Sequence, residues 1–179
     1  MARELIEPAS LTFRLAVERD APALAALHAA AADRLTGTFG EGRWSSRPTE
    51  GNVLRDIRTS RVLVACDAAG LAGTLRLATK KPWAIDPKYF TPVARPLYLL
   101  SMAVAPSRQR SGIGRSLIGE AMGMARAWPA EALRLDAYDA PAGAGEFYRR
   151  CGFTEVGRVE YRACPLIYFE KLVAASRTG

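Results

Sequence analysis

Gln109-Arg110-Ser111-Gly112-Ile113-Gly114 stands between an apolar strand-like run and a helix-like run. Glycines at this spacing let a turn gather several backbone N–H groups on one concave side, and the helix that follows aims its positive dipole end at the same point. The stretch therefore reads as a diphosphate cradle. Upstream, Leu97-Tyr98-Leu99-Leu100-Ser101-Met102-Ala103-Val104 has the continuous apolar character of a buried strand, ended by Ala105-Pro106. Downstream, Ile113, Leu117, Ala121, Met124 and Ala125 recur at helical spacing, with Arg115, Glu120 and Arg126 on the water side. Trp128-Pro129 closes that helix, because proline has no N–H and biases its predecessor away from helical angles.

Two well-known phosphate loops fit these residues poorly. A P-loop needs lysine after its last glycine, and Gly114 is followed by Arg115 and Ser116. A dinucleotide fingerprint needs a small residue at 117, which is Leu, and an early βαβ unit. Taken alone, the loop is also compatible with an ordinary glycine turn before a helix.

The second half of the chain adds a companion motif. Ala132-Leu133-Arg134-Leu135-Asp136-Ala137-Tyr138 reads as a strand, Ala144 to Cys151 as a short helix, and Phe153-Thr154-Glu155-Val156 as the start of another strand. Phe147-Tyr148 precedes Gly152-Phe153 across that helix, and Gly152 suits a left-handed helix cap. Together with Gln109, Gly112 and Gly114, these residues resemble the GNAT superfamily of N-acetyltransferases. That family carries Gln/Arg-x-x-Gly-x-Gly/Ala at a helix start and Phe-Tyr-x-x-x-Gly-Phe further on.

The resemblance implies an α/β (mixed α+β) fold with a central, mostly antiparallel sheet flanked by helices and splayed between its two middle strands. It also implies acetyl-CoA as cosubstrate. The diphosphate would lie on Gln109, Arg110, Ser111, Gly112, Ile113, Gly114 and Arg115. The pantetheine arm would lie along main-chain groups of Met102, Ala103 and Val104, much as a peptide adds to a strand edge. Tyr148 takes the place of the family's acid for the departing thiolate. Where the family often uses asparagine against pantetheine, this chain has Asp139-Ala140-Pro141. The reaction implied is transfer of acetyl to a primary amine of a small molecule. Protein N-termini or lysines are the substrate alternative, and a noncatalytic acyl-CoA-binding module is the alternative of another class. The general base stays open among Asp86, Glu41, Glu50, Ser101, Asp136 and Tyr138. Homodimers are common in the family but leave no readable mark in this sequence.

Composition narrows the field from the outside. The 179 residues suit one domain with a core from about 11 to 172, 49% hydrophobic, with weak patterning only at Met1–Pro8 and Ala174–Gly179. The net charge of +7 comes from basic residues spread along the chain, without the dense Lys/Arg block that nucleic acid binding asks for. Arg108, Arg110 and Arg115 cluster at the anion turn. No apolar run approaches the roughly 20 residues of a membrane span, and no signal core follows a basic start, so a cytoplasmic protein is expected. Cys66, Cys151 and Cys164 are scattered, which predicts buried reduced thiols and no metal site, and His28 falls in an alanine-rich helical stretch.

The remaining pattern predicts a strand over Leu11–Val17, with Asp20 as N-cap of a helix over Ala23–Leu35. A second helix follows over about Thr49–Arg58, then a hairpin of Arg61–Asp67 with Leu71–Leu77. Pro165–Leu172 reads as the last strand. Lys80–Pro96, rich in proline and aromatics, reads equally as a wall of the acceptor site or as a loop packed on the core.

Overall fold

In the computed structural model, which describes residues 11–174, the strand-like runs build a seven-stranded sheet. The expectation about the chain ends lies, apart from Ala174, outside the described residues. The elements are β1 (Thr12–Leu15), α1 (Ala21–Phe39), α2 (Glu50–Thr59), β2 (Arg61–Asp67), β3 (Gly70–Ala78) and β4 (Pro96–Val104). Next come α3 (Ile113–Ala127), β5 (Ala132–Tyr138), α4 (Gly145–Arg150), β6 (Thr154–Tyr161) and β7 (Cys164–Leu172). This is the expected order, and strand order in the sheet is β1-β2-β3-β4-β5-β7-β6.

Two helix starts show how local chemistry was read. Thr49 caps α2, accepting from the Asn52 N–H at 3.2 Å while Asn52 Oδ1 accepts from the Thr49 N–H at 3.1 Å. Asp20 occupies the N-cap position of α1, yet its carboxylate accepts from Arg14 at 2.6 and 2.9 Å and from the Val17 N–H at 2.8 Å instead. The hydrogen-bonded Arg14 guanidinium holds that carboxyl below the usual range. α1 also runs past Leu35 to Phe39. Gly37 is carried inside the last turns, the Thr36 hydroxyl donates to the Ala32 carbonyl at 2.8 Å, and the stop is Gly40 at φ 80°.

The sheet is antiparallel except between β4 and β5, which pair in parallel over only Pro96–Tyr98 and Ala132–Arg134. Beyond that the two strands splay. β4 is bulged at the same level: from Leu100 to Ala103 it advances three residues while β3 advances two, from Arg76 to Thr74, and Ser101 sits at φ 50°. An extra residue of this kind bends its strand and increases local twist, which turns the end of β4 away from its neighbour.

α3 and α4 cover one face of the sheet, where Leu75, Leu97, Leu117, Leu133 and Phe169 form the main core. Each such side chain contributes about 1.5–3 kcal/mol by leaving water. α1 and α2 cover the first strands on the other face through Leu24 and Val53 against Val62 and Val64. Ile85 and Phe90 of the proline-rich segment pack with Tyr98 and Tyr168. That loop is therefore core cover, and none of its residues lines the large cleft described below.

Candidate active site

Gly112 has φ 89° and Arg110 φ 64°, so the turn before α3 alternates through the left-handed region as an anion nest does. No side chain caps α3, and the first intrahelical bond runs from the Ser116 N–H to the Gly112 carbonyl at 3.0 Å. A Cβ at Gly112 would meet nothing within 4 Å, so the turn opens to solvent there. Gly114 answers a different need: a Cβ on it would stand 3.1 Å from the Phe147 ring and 3.5 Å from Met102 Cε. The two motif glycines thus serve conformation and packing respectively. Gln109 Nε2 donates to the Val104 carbonyl at 3.2 Å and Ser111 Oγ to the Arg108 carbonyl, tying the turn to itself and to β4.

Of the three arginines grouped here by sequence, Arg108 is drawn off to Asp67 at 3.0 Å and Arg115 reaches the Arg150 carbonyl at 3.5 Å. Arg110 remains exposed at the turn. Met102, Ala103 and Val104 lie on β4 beyond its last pairing with β5, alongside the gap.

Tyr148 rises into that gap from α4. Its ring packs against Phe147, Phe153 and Phe169, and its hydroxyl points to Met102 Sδ at 3.8 Å. Burial, and then the negative charge of Asp136, push the phenol well above its ordinary value, so it holds its proton throughout the neutral range.

A cleft of about 640 Å³ opens from Tyr148 and Met102 toward α1 and α2. Of the six base candidates it collects Ser101, Asp136 and Tyr138. Asp86 is elsewhere, paired with Lys88 at 3.0 Å beside Tyr168, and Glu41 and Glu50 are exposed outside the lining. Asp139 is paired with Arg158 at 2.9 and 3.0 Å. Residues the sequence left unassigned complete the walls: His28, Trp44, Asn52 and the Asp56–Arg76 pair at 2.7 Å. Burial holds the His28 imidazole below its ordinary pKa, hence neutral. Its signal was present in the sequence, since Leu24, His28, Ala31, Ala32 and Leu35 form one helical stripe. Arg76 lines this cleft, and its buried Nε has no hydrogen-bond partner among the described residues.

The connection between α1 and α2 lines one end of the cleft. Trp44 meets the Tyr138 ring edge-on at 5.8 Å, Arg43 donates to the Arg162 carbonyl at 2.6 Å in the β6–β7 turn, and Arg47 pairs with Asp33. The segment therefore spans from the helical side to β5 and the β6–β7 turn.

Residues 58–155, more than half of the chain, match the model of the acetyltransferase (GNAT) domain. The chain belongs to the GNAT family.

No curated protein sequence matches this GNAT acetyltransferase. Among solved structures, the ribosomal-protein-S18-alanine N-acetyltransferase of Escherichia coli aligns with a TM-score of 0.71 at 15% identity, over 94% of this chain and 97% of that one. yncA of Salmonella typhimurium, solved with its cofactor acetyl-CoA, gives 0.68 at 17% identity over 96% and 98%. An aminoglycoside 6'-acetyltransferase type Ii gives 0.68 at 15% identity over 92% and 99%. At those identities the likeness is one of fold. The GNAT acetyltransferases use acetyl-CoA and act on amine acceptors. Among the described residues of this one, no group of three or more His, Cys, Asp or Glu is placed to hold a metal, and no helix is long and apolar enough to cross a membrane. Its three cysteines are free and half-buried, more open than the sequence led us to expect.

Proposed function

We propose that this GNAT acetyltransferase transfers acetyl from acetyl-CoA to the primary amine of a small molecule, by direct attack in a ternary complex. The observation that carries the small-molecule reading is the size of the cleft, with the Arg43–Arg47 segment lining one end of it. Its volume of about 640 Å³ falls in the range of small-ligand sites, and the Arg43–Arg47 segment crosses one end of it through Trp44 and Arg43. The two neighbours with named acceptors point in different directions, one to a ribosomal protein and one to an aminoglycoside.

The residues present fit the cosubstrate. Backbone N–H groups from Arg110 through Arg115, on an open turn at an uncapped helix start, suit a diphosphate, with Gln109 bracing the turn against β4. Met102, Ala103 and Val104 offer main-chain groups along the splay to an amide-rich arm. When bound, acetyl-CoA supplies the activated acyl carbon. Tyr148, protonated and aimed into the gap, supplies the proton for sulfur, and a backbone N–H near Ala103 serves the developing oxyanion.

The test is thiol release from acetyl-CoA across a panel of small primary amines, N-terminal peptides and lysine peptides. Turnover of small amines with kcat/KM at least about tenfold above the peptides is expected. Turnover of peptides alone would transfer the function to protein acetylation, and saturable acetyl-CoA binding with no release on any acceptor would make this a binding module.

A further inference from the structure

The geometry points to Asp136 as the catalytic base of this site and the carboxylate that receives the acceptor's ammonium, an inference that rests on the acetyltransferase reading above.

β5 pairs with β4 only through Arg134, and Asp136 comes two residues later, where the strands have parted. Strand alternation places Leu133, Leu135 and Ala137 in the core beneath α3 and α4, and sends Asp136 and Tyr138 to the cleft. Two carboxylates line that cleft. Asp56 is committed to Arg76 at 2.7 Å, whereas Asp136 has no ion pair and no side-chain hydrogen bond to another residue among those described. A half-buried carboxylate whose one partner is its own backbone N–H is costly, and a cation entering the cleft reduces that cost.

The other groups are less suited. Ser101 is an aliphatic alcohol, and Tyr138 is a phenol whose pKa burial raises above its ordinary value. His28 lines the cleft from α1, whereas Asp136 stands on β5 beside the gap that Tyr148 enters from α4, and both of these line the same cleft. Asp136 and Tyr148 therefore face one volume at the splay, one from the strand and one from α4. Around Asp136 stand Tyr148 of α4, Tyr168 opposite it on β7 and Tyr138 on its own strand. Two residues back, the Arg134 guanidinium is held by Glu170 at 2.9 Å and by the Thr91 carbonyl. Across the cleft are His28, Arg43, Arg47 and the Asp56–Arg76 pair. Burial raises the Asp136 carboxyl above the usual range, which brings its basicity nearer to working pH.

The proton inventory closes. Asp136 takes one proton from R–NH₃⁺, and the freed lone pair forms the C–N bond to the thioester carbonyl carbon. As the C–S bond breaks, sulfur takes the Tyr148 proton, nitrogen's second departing proton returns to the Tyr148 oxygen, and the proton on Asp136 leaves to water. One proton is released per amide formed.

The experiment joins kinetics with direct titration. Asp136→Asn is expected to lower kcat by about 10²–10³-fold on whichever amine turns over, with the acetyl-CoA KM within about twofold of wild type and partial recovery in Asp136→Glu. The acidic limb of the kcat/KM profile should disappear with Asp136→Asn. A limb that follows His28→Gln instead, or a kcat unchanged in Asp136→Asn, overturns the assignment. In the wild type, the carboxyl ¹³C resonance of Asp136 should titrate above free aspartate and move to lower pH with 1,4-diaminobutane bound. An unmoved midpoint overturns the ammonium role. Absence of thiol release from wild type with every amine would instead sink the acetyltransferase reading, and the diamine titration still decides Asp136 by itself. Stability gives the sign independently: a carboxyl whose pKa is raised in the fold costs stability above that pKa and none below its unfolded value. Asp136→Asn should thus melt higher than wild type near pH ~8, with the gap closing toward pH ~4. A gap that stays constant with pH overturns the desolvated carboxylate.

Discussion

Tyr148 combines a buried ring with a hydroxyl that has only a sulfur to meet, Met102 Sδ at 3.8 Å. The three aromatic neighbours fix the ring, so replacing the hydroxyl by hydrogen leaves the packing in place. Tyr148→Phe is expected to lower kcat by about 10²–10³-fold while acetyl-CoA affinity measured by calorimetry stays within about twofold. Unchanged turnover would remove Tyr148 as the acid. At this scale the tyrosine was legible in the sequence because it belongs to a short contiguous motif, Phe147-Tyr148 before Gly152-Phe153. Asp136 was one name among six, because its value depends on what stands around it: an unpaired carboxylate in a cleft cannot be told from a paired one by residue type.

Among the elements, the start of α3 is closely fitted to its neighbours. Gly114 lets its first turn approach the Phe147 ring of α4 and Met102 of β4. Gly114→Val forces those contacts apart. The variant should lose about 1–3 kcal/mol in urea denaturation and bind acetyl-CoA at least about tenfold more weakly, because the anion turn rides on the start of the same helix. Full stability with full affinity would show that α3 can shift freely. Strand and helix order was legible from periodicity, but boundaries that depend on distant partners were not. Asp20 looked like a helix cap until Arg14 on β1 claimed its carboxylate, and α1 passed through Gly37 to stop at Gly40. The Lys80–Pro96 segment had two equal readings because its aromatics can pack anywhere apolar. Tyr98 and Tyr168 decided for the core.

For the whole molecule, the short pairing of β4 with β5 is what makes a site possible, and the strands behind it must hold while the gap stays open. Arg134 and Glu170, each 4% exposed and 2.9 Å apart, join β5 to β7, and both also bind Thr91, through its carbonyl and its N–H. Glu170→Ala leaves a buried guanidinium without its carboxylate and frees the proline-rich loop. A loss of about 3–5 kcal/mol in denaturant unfolding is expected. A loss below about 1 kcal/mol would mean that water or a shifted loop compensates the charge.

By itself the sequence determined the succession of elements, the glycine turn before α3, the Phe147-Tyr148 motif and the family, since each of these rests on local periodicity or on a contiguous motif. The tertiary structure alone decided which side chains share the acceptor cleft. Its walls come from α1, the Arg43–Arg47 segment, α2, strands β2 to β5 and α4, far apart along the chain. A bulge at Ser101, the parting of two strands and a connection that reaches across to Tyr138 bring them together, and these are properties of packing between elements that no local pattern encodes.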